Sequence, residues 1–460
     1  MLTPLILPLI EWQSSLTISS TLLATVGGAE GEGSTKILAV AVTLTIIAVF
    51  ITAQIFGELA TRIGLPTVLG ELLAGLLLGV SGLQILMLND GTAVAPWYLE
   101  MVEWTSGGDR TAVLEAFNVP VRTLINDYAE FGVGVLLFKI GLEADLKELI
   151  KVGPQATTVA IVGVFLPLIA GFLGLTTVFH LDTIPALFGA AALTATSIGI
   201  TSRIMQDLGV LQTKEGQIIL GAAVLDDILG IAILAIAVGI ANHGTVEVTN
   251  ILSIIVSAVL FVAAAIALNK FFGPIYINIL ERLNNRHSVL VGAMIFLAVM
   301  AIFAQAIGLE SILGCFAAGV VLGDTKATHA LEEACEPLVA LFATIFFVTI
   351  GAKTDLTFLN LANPDSRTGL VIAVFLTVIA IVTKIAAGYG IFTSEKVDRL
   401  AIGTGMVPRG EVGLVFAGLG TATGALSDSL NVAIVLMVIA TTFVAPPMLR
   451  WVFSRTSKRI

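Results

Sequence analysis

The run Gly216-Gln-Ile-Ile-Leu-Gly-Ala-Ala-Val-Leu-Asp-Asp-Ile-Leu-Gly-Ile-Ala-Ile-Leu-Ala-Ile-Ala-Val-Gly-Ile-Ala241 is long enough to cross a bilayer and carries two adjacent aspartates, Asp226 and Asp227. A spanning helix needs about 20 mainly apolar residues. An ionisable group at its centre costs roughly 2.5–3.5 kcal/mol on insertion scales. Two in succession therefore point to function rather than packing. Neighbouring side chains on a helix diverge by about 100°, so one aspartate can face a water-filled path while the other meets a second helix. Burial favours the protonated carboxyl, and a nearby cation favours the ionised one. H⁺ and a small hard cation such as Na⁺ can compete for a group held between these influences.

The rest of the chain matches this run. Of 460 residues, 57 % are hydrophobic and only 12 % charged, and mean hydropathy is +1.01. Soluble chains carry about 45–50 % apolar and roughly 25 % charged residues, so a soluble globular enzyme is excluded. Disorder is excluded too, and a net charge of −10 argues against a nucleic-acid partner. The pattern predicts an all-α polytopic membrane protein of about 13 transmembrane helices, at 37–60, 66–89, 127–143, 152–178, 183–206, 216–241, 249–271, 287–307, 310–323, 336–352, 368–393, 398–421 and 429–450. The runs are too long and too little alternating for an outer-membrane barrel.

An odd number puts the termini on opposite sides. With the C-terminus cytoplasmic and the N-terminus outside, fifteen basic residues fall in inner segments and five in outer ones, as the positive-inside rule asks. Residues 1–36 form an outside extension; Met1–Trp12 is apolar but too short to span. The outside loop 84–126 is acidic, with Asp90, Glu100, Glu103, Asp109 and Glu115. It reads as a solvated connection or as a place where cations gather. No phosphate-binding loop occurs, so uphill transport draws on an ion gradient, with no nucleotide and no cofactor. Cys315 and Cys335 read as packed apolar thiols.

A short list of other residues stands out within the spans. Lys384, central in 368–393, is the evident counter-charge for one aspartate, unless it snorkels. Arg409 and Glu411 lie in Gly405-Met-Val-Pro-Arg-Gly-Glu-Val-Gly413, where Pro408 and the glycines break the helix. The two charges can pair across that break. Thr194-Ala-Thr-Ser-Ile-Gly-Ile-Thr201 marks a second break, where Thr196, Ser197 and freed carbonyls offer oxygens to a cation. Spans 152–178, 183–206 and 216–241 form one triplet. Spans 368–393, 398–421 and 429–450 form another of opposite orientation. Each has a broken middle helix, the pattern of an inverted-repeat transporter with a midplane site. Glu71 reads as structural, and Lys139, four before Glu143, as a helix-end lysine that snorkels.

Five motifs carry a family resemblance: Gly70-Glu-Leu-Leu-Ala-Gly75, Leu136-Leu-Phe-Lys-Ile-Gly-Leu-Glu143, Ala195-Thr-Ser-Ile-Gly-Ile-Thr201, Val224-Leu-Asp-Asp-Ile-Leu-Gly230 and Pro408-Arg-Gly-Glu-Val-Gly-Leu414. Together they resemble the monovalent cation:proton antiporters over residues 37–455, and most of all the cyanobacterial Na⁺/H⁺ antiporters, a thylakoid type among them. The resemblance implies a homodimer with a dimerisation domain and a mobile core of crossed, broken helices that moves like an elevator. On that division, 37–143 and 287–352 are dimerisation-side helices. Residues 152–241 and 368–450 are the core halves, 249–271 is a linker helix, and 451–460 is a cytoplasmic tail.

The resemblance makes Asp227 the ion- and proton-carrying aspartate and Asp226 the preceding acidic position, a pairing associated with electrogenic exchange. It makes Lys384 the partner of the first aspartate, Thr196 and Ser197 part of the coordination region, and Arg409 and Glu411 the charged pair of the other broken helix. Loop 84–126 is longer than the family's usual connection, and Lys139 stands where an apolar residue is usual. The expected function is Na⁺/H⁺ antiport with Na⁺ held by Asp227, Asp226 and Thr196, in a bacterial inner membrane or a thylakoid membrane. K⁺/H⁺ exchange at the same site is the alternative, and Li⁺ a further candidate cargo. An intramembrane aspartyl protease would need its two aspartates on different helices. A passive channel would show a repeated selectivity-filter signature, and none is present.

Overall fold

The computed structural model describes residues 31–88, 94–144, 146–243, 248–282, 287–354, 364–391 and 397–456. Every regular element among them is a helix. Leaving aside the short turns Phe117–Val121, Leu146–Lys151 and Gly388–Gly390, these are in chain order α1 (Gly31–Arg62), α2 (Thr67–Leu78), α3 (Pro96–Ser106), α4 (Arg110–Ala116), α5 (Arg122–Glu143), α6 (Gly153–Thr177), α7 (Thr183–Ala191), α8 (Ile198–Asp207) and α9 (Lys214–His243). Then follow α10 (Val248–Glu281), α11 (Ser288–Ala306) and α12 (Ser311–Gly323). α13 (Thr328–Ala352) carries a π-turn at Val339–Ala343. The last four are α14 (Pro364–Ala387), α15 (Arg399–Gly405), α16 (Glu411–Ala422) and α17 (Asp428–Thr456). Among the described residues, eight helices are long and apolar enough to cross a membrane, and α2 and α12 are shorter apolar ones.

Their outward faces explain the composition. On α6, Ile161, Phe165, Ile169 and Leu173 recur every four residues and are each 45–54 % exposed. On α14, Val371, Val374, Val378 and Val382 are 53–61 % exposed. Contiguous apolar stripes of this size are rare on soluble monomers; facing lipid, they cost nothing. The protein is a multi-pass integral membrane protein.

The chain forms two compact units. One comprises the described residues within 1–56, 71–132 and 342–355. Here Thr344 donates to the buried Glu71 at 2.7 Å, consistent with a structural role for that carboxylate. The expected span 66–89 stays helical only to Leu78. Gly75 and Gly79 lie so close to the backbone of Val348 and Ala352 that no side chain fits there. Beyond Gly79 the chain folds back, with Leu83, Ile85 and Leu86 donating to the last carbonyls of α2 at 2.6–2.9 Å. Those carbonyls are satisfied early, and the helix stops.

The segment read as an acidic connecting loop is folded in the same unit. Asp109 caps α4 by accepting from the Ala112 N–H at 3.1 Å, and Arg110 pairs with Glu103 at 2.8 Å. Tyr98 is buried with its hydroxyl 3.1 Å from that of Thr45. Burial pushes the Tyr98 hydroxyl up to about 12, a rise its bond to Thr45 only partly offsets. Asp90 lies outside the described residues.

The other unit comprises the described residues within 57–70, 133–341 and 356–460. It holds both triplets. α6 packs on α7, α9 and α14, and α14 packs on α17. Val164, Phe188, Leu193, Leu376, Phe416 and Met437 belong to one buried cluster that joins the two triplets. Lys139 does not snorkel. It is 8 % exposed, ion-paired with Glu336 and 3.5 Å from Glu143, and Glu143 in turn accepts from Gln206 at 3.0 Å. Cys315 and Cys335 are free and buried.

Candidate functional site

Both breaks expected in the spans are present. The chain unwinds at 192–197 between α7 and α8, and at 406–410 between α15 and α16. Four half-helix ends meet at this point, and the two unwound segments satisfy each other's backbone groups. Ser197 donates its N–H to the Pro408 carbonyl at 2.9 Å. The Thr196 hydroxyl donates to the Met406 carbonyl at 3.1 Å and the Thr201 hydroxyl to the Gly405 carbonyl at 3.0 Å. This is the covering that irregular backbone needs at membrane depth. Gly410 makes the crossing tight enough, because a Cβ there would sit 2.8 Å from Ser197 Oγ.

Arg409 closes the crossing from the second segment. Its side chain is fully buried. Its guanidinium donates to the Thr194 carbonyl at 3.1 Å and to the Ala195 carbonyl, which follow the C-terminus of α7. A cation is favoured at that end of a helix dipole. The Arg409 carbonyl accepts from the Thr442 hydroxyl at 2.7 Å. The expected Arg409–Glu411 pair lies outside the described residues: Glu411 opens α16, but its side chain is not described.

Lys384 brings the crossing and the aspartates together. Lys384 and Asp226 are both fully buried, and the Lys384 ammonium stands 3.0 Å from both Oδ1 and Oδ2 of Asp226. Its third hydrogen goes to Thr196 Oγ1, also at 3.0 Å. All three donors of the ammonium are used, which is how a charge survives without water.

Asp227 takes the other direction. It lines a small cavity together with Thr196, Ser197, Gly410 and Glu310, and it is 3 % exposed. The divergence expected of neighbouring helix residues is thus realised. Asp226 turns to the lysine, and Asp227 to a space bordered by carboxylate and hydroxyl oxygens. Such oxygens suit a small hard cation.

Sequence reading missed two contributors. Thr442, like Thr201 of the hydroxyl run, binds the unwound backbone; its only signal was a hydroxyl inside an apolar run. Glu310 was placed at the start of a span and passed over, although an acid at the head of a short apolar helix is such a signal.

Residues 46–455 match the model of the sodium/hydrogen exchanger transmembrane family. The chain belongs to this family. It is 44 % identical over 439 residues to the high-affinity Na⁺/H⁺ antiporter NhaS3 of Synechocystis sp., covering 95 % of each chain. It is 34 % identical to the Na⁺/H⁺-K⁺ antiporter GerN of Bacillus cereus, covering 89 % of this chain and 96 % of that one. Among solved structures, the sodium proton antiporter MjNhaP1 of Methanocaldococcus jannaschii matches with a TM-score of 0.57 at 16 % identity, over 90 % of this chain and 97 % of that one. That likeness shows the shared fold.

Proposed function

We propose that this protein is a secondary active antiporter that exchanges Na⁺ for H⁺ through Asp227 and the groups around it. The observation that carries the reading is the division of labour between two adjacent buried carboxylates. Asp226 is tied to Lys384, while Asp227 faces an oxygen-lined cavity at the crossing of two broken helices. The family and the names of its relatives support Na⁺ and H⁺ as the exchanged ions.

The cycle follows from the cost of a buried charge. With Asp227 protonated, Asp227 itself carries no charge, and Asp226 is balanced by Lys384. Na⁺ entering the cavity displaces the proton and is held by Asp227 with oxygens of Ser197 and Thr196. Asp226 joins the coordination only when Lys384 releases it. Either loaded form moves across the barrier, and the bare carboxylate does not, because an unpaired buried charge is expensive to carry. That rule couples the fluxes. If Lys384 gives up a proton as Na⁺ binds, more than one H⁺ exchanges per Na⁺, and transport is electrogenic. Arg409, with Glu411 at the head of α16, steadies the half-helix ends while the core moves.

The same reading takes the protein as a homodimer with its C-terminus in the cytoplasm, in a bacterial inner membrane or a thylakoid membrane. K⁺/H⁺ exchange is not favoured, since the 44 % identical relative is named for Na⁺ and H⁺ alone.

The test uses purified protein in sealed vesicles with an imposed pH gradient, with Na⁺, Li⁺ or K⁺ added separately. Na⁺ should dissipate the gradient in wild type and not in Asp227→Asn. Substantial exchange by a folded Asp227→Asn protein would overturn the assignment.

A further inference from the structure

α9 turns Asp226 and Asp227 to the crossing, and Gly221, Val224, Leu225 and Ile228 to a second cavity, of about 310 Å³. These four recur at i, i+3, i+4 and i+7, one face of a helix. α10 lines the same cavity with Phe261, Val262, Ala265 and Ile266, and α12 with Leu313, Phe316, Ala317 and Val320. Among the described residues of the lining, Thr157 of α6 is the one polar side chain, and its hydroxyl donates to the Gly153 carbonyl of its own helix at 2.8 Å. No side-chain donor is left for an ion pathway or for ordered water, which needs about two to four polar partners. The cavity opens sideways. Ile150, Val262 and Ile266 border it and are 54, 39 and 37 % exposed. Val259, on the same face of α10, is 63 % exposed and continues the apolar surface. α10 is among the helices that cross the membrane, so this rim meets the hydrocarbon of the bilayer.

One end of the cavity is basic. The short turn Leu146–Lys151 lines it with Leu146, Leu149 and Ile150 and carries Lys147 and Lys151 at exposed positions. Lys270 follows Ile266 by one turn of α10 and is also exposed. Four successive crossings, by α6, by α7 with α8, by α9 and by α10, return the chain to the face where α6 starts, so the three lysines belong to one membrane surface. Lys151 pairs with Glu148 at 3.0 Å, and the three lysines still outnumber Asp145 and Glu148. Lysines at such a surface attract anionic headgroups, and their long stems let the ammonium reach the headgroup level. We infer that the cavity between α9, α10 and α12 holds one acyl chain of an anionic membrane phospholipid, whose headgroup is bound by Lys147, Lys151 and Lys270. The inference goes beyond the proposed antiport and does not depend on which ions are exchanged. It places a lipid against the back of the helix that carries the two aspartates.

Native mass spectrometry of the purified full chain tests this, with phosphatidylglycerol and phosphatidylcholine of identical chains as competing probes. Wild type should retain one phosphatidylglycerol per chain in preference to phosphatidylcholine. A basic residue near the membrane surface contributes a factor of about five, so Lys147→Gln combined with Lys151→Gln should weaken retention about twenty-fivefold. Ala317→Phe fills the cavity and should abolish retention. Val371→Phe, on the exposed face of α14, should change nothing. No retained lipid in wild type, equal retention of the two phospholipids, or equal loss in Ala317→Phe and Val371→Phe overturns the inference. So does a lipid-free pair of chains that Ala317→Phe separates, which would make the cavity a contact between copies. Should Ala317→Phe fail to fold, the exposed lysine pair decides alone: an undiminished preference for phosphatidylglycerol in that double variant overturns the site.

Discussion

Replacing Asp226 by Asn keeps the shape of the site and removes one charge. Lys384 then remains fully buried, with its ammonium facing a neutral amide and the Thr196 hydroxyl. Removing one partner of a buried ion pair costs about 3–5 kcal/mol, because the surviving charge is uncompensated. An unfolding entropy of about 2.1 cal/mol/K per residue, applied to the whole chain, means roughly 1 °C of midpoint per kcal/mol for one-step unfolding. Asp226→Asn should therefore melt about 3–5 °C below wild type. Asp226→Asn with Lys384→Met removes both charges and should recover most of the loss, giving a coupling energy well above the few tenths expected of independent sites. The two buried thiols, Cys315 and Cys335, supply the assay, since a thiol-reactive fluorophore reaches them only on unfolding. A single variant as stable as wild type, or a double variant no better than the single, would refute the reasoning that the pair is held by charge.

Gly410→Ala should raise the Na⁺ concentration needed for half-maximal exchange with little change in melting, because its Cβ would displace the Ser197 hydroxyl from the cavity; an unchanged value contradicts a role for Ser197. Lys139→Met should destabilise by about 1–2 kcal/mol by leaving Glu143 with the Gln206 amide but no counter-charge, while Glu336→Gln should cost under about 1 kcal/mol because Glu336 is largely exposed. Equal effects in a thermal melt would count against the network. Tyr98 holds its proton up to about pH 12 in the folded protein against an ordinary value of 10.0, so the folded state binds more protons between those values and stability falls as pH rises through that window. The loss should reach about 2–3 kcal/mol. Tyr98→Phe should flatten this part of the alkaline unfolding curve, and an unaltered slope would show that the hydroxyl is not the group involved.

How legible the protein was depends on the kind of contact. The apolar runs locate the spans because length and hydropathy are local properties. The two helix breaks were legible because Pro408, the glycines and the hydroxyl run around Thr196 act on their own backbone. That Lys384 is the counter-charge of one aspartate was legible because few other charges lie within spans; that the aspartate is Asp226 was implied only by the family resemblance. The early stop of α2 at Leu78 was not. It depends on Gly75 and Gly79 meeting the backbone at Val348 and Ala352, and nothing near residue 79 announces those partners. Lys139 was misread because Glu336, almost 200 residues away, is its counter-ion.

The sequence by itself determined that this is a polytopic helical membrane protein, that two of its spans are broken, and that two aspartates and a lysine are buried within it. Each follows from the cost of placing a group in hydrocarbon, a cost paid by the residue wherever its neighbours lie. Only the tertiary structure decided that Arg409 serves the carbonyls after α7 and that Glu310 borders the cavity of Asp227. Those are matters of direction and distance between segments far apart in the chain, and hydropathy carries no information about either.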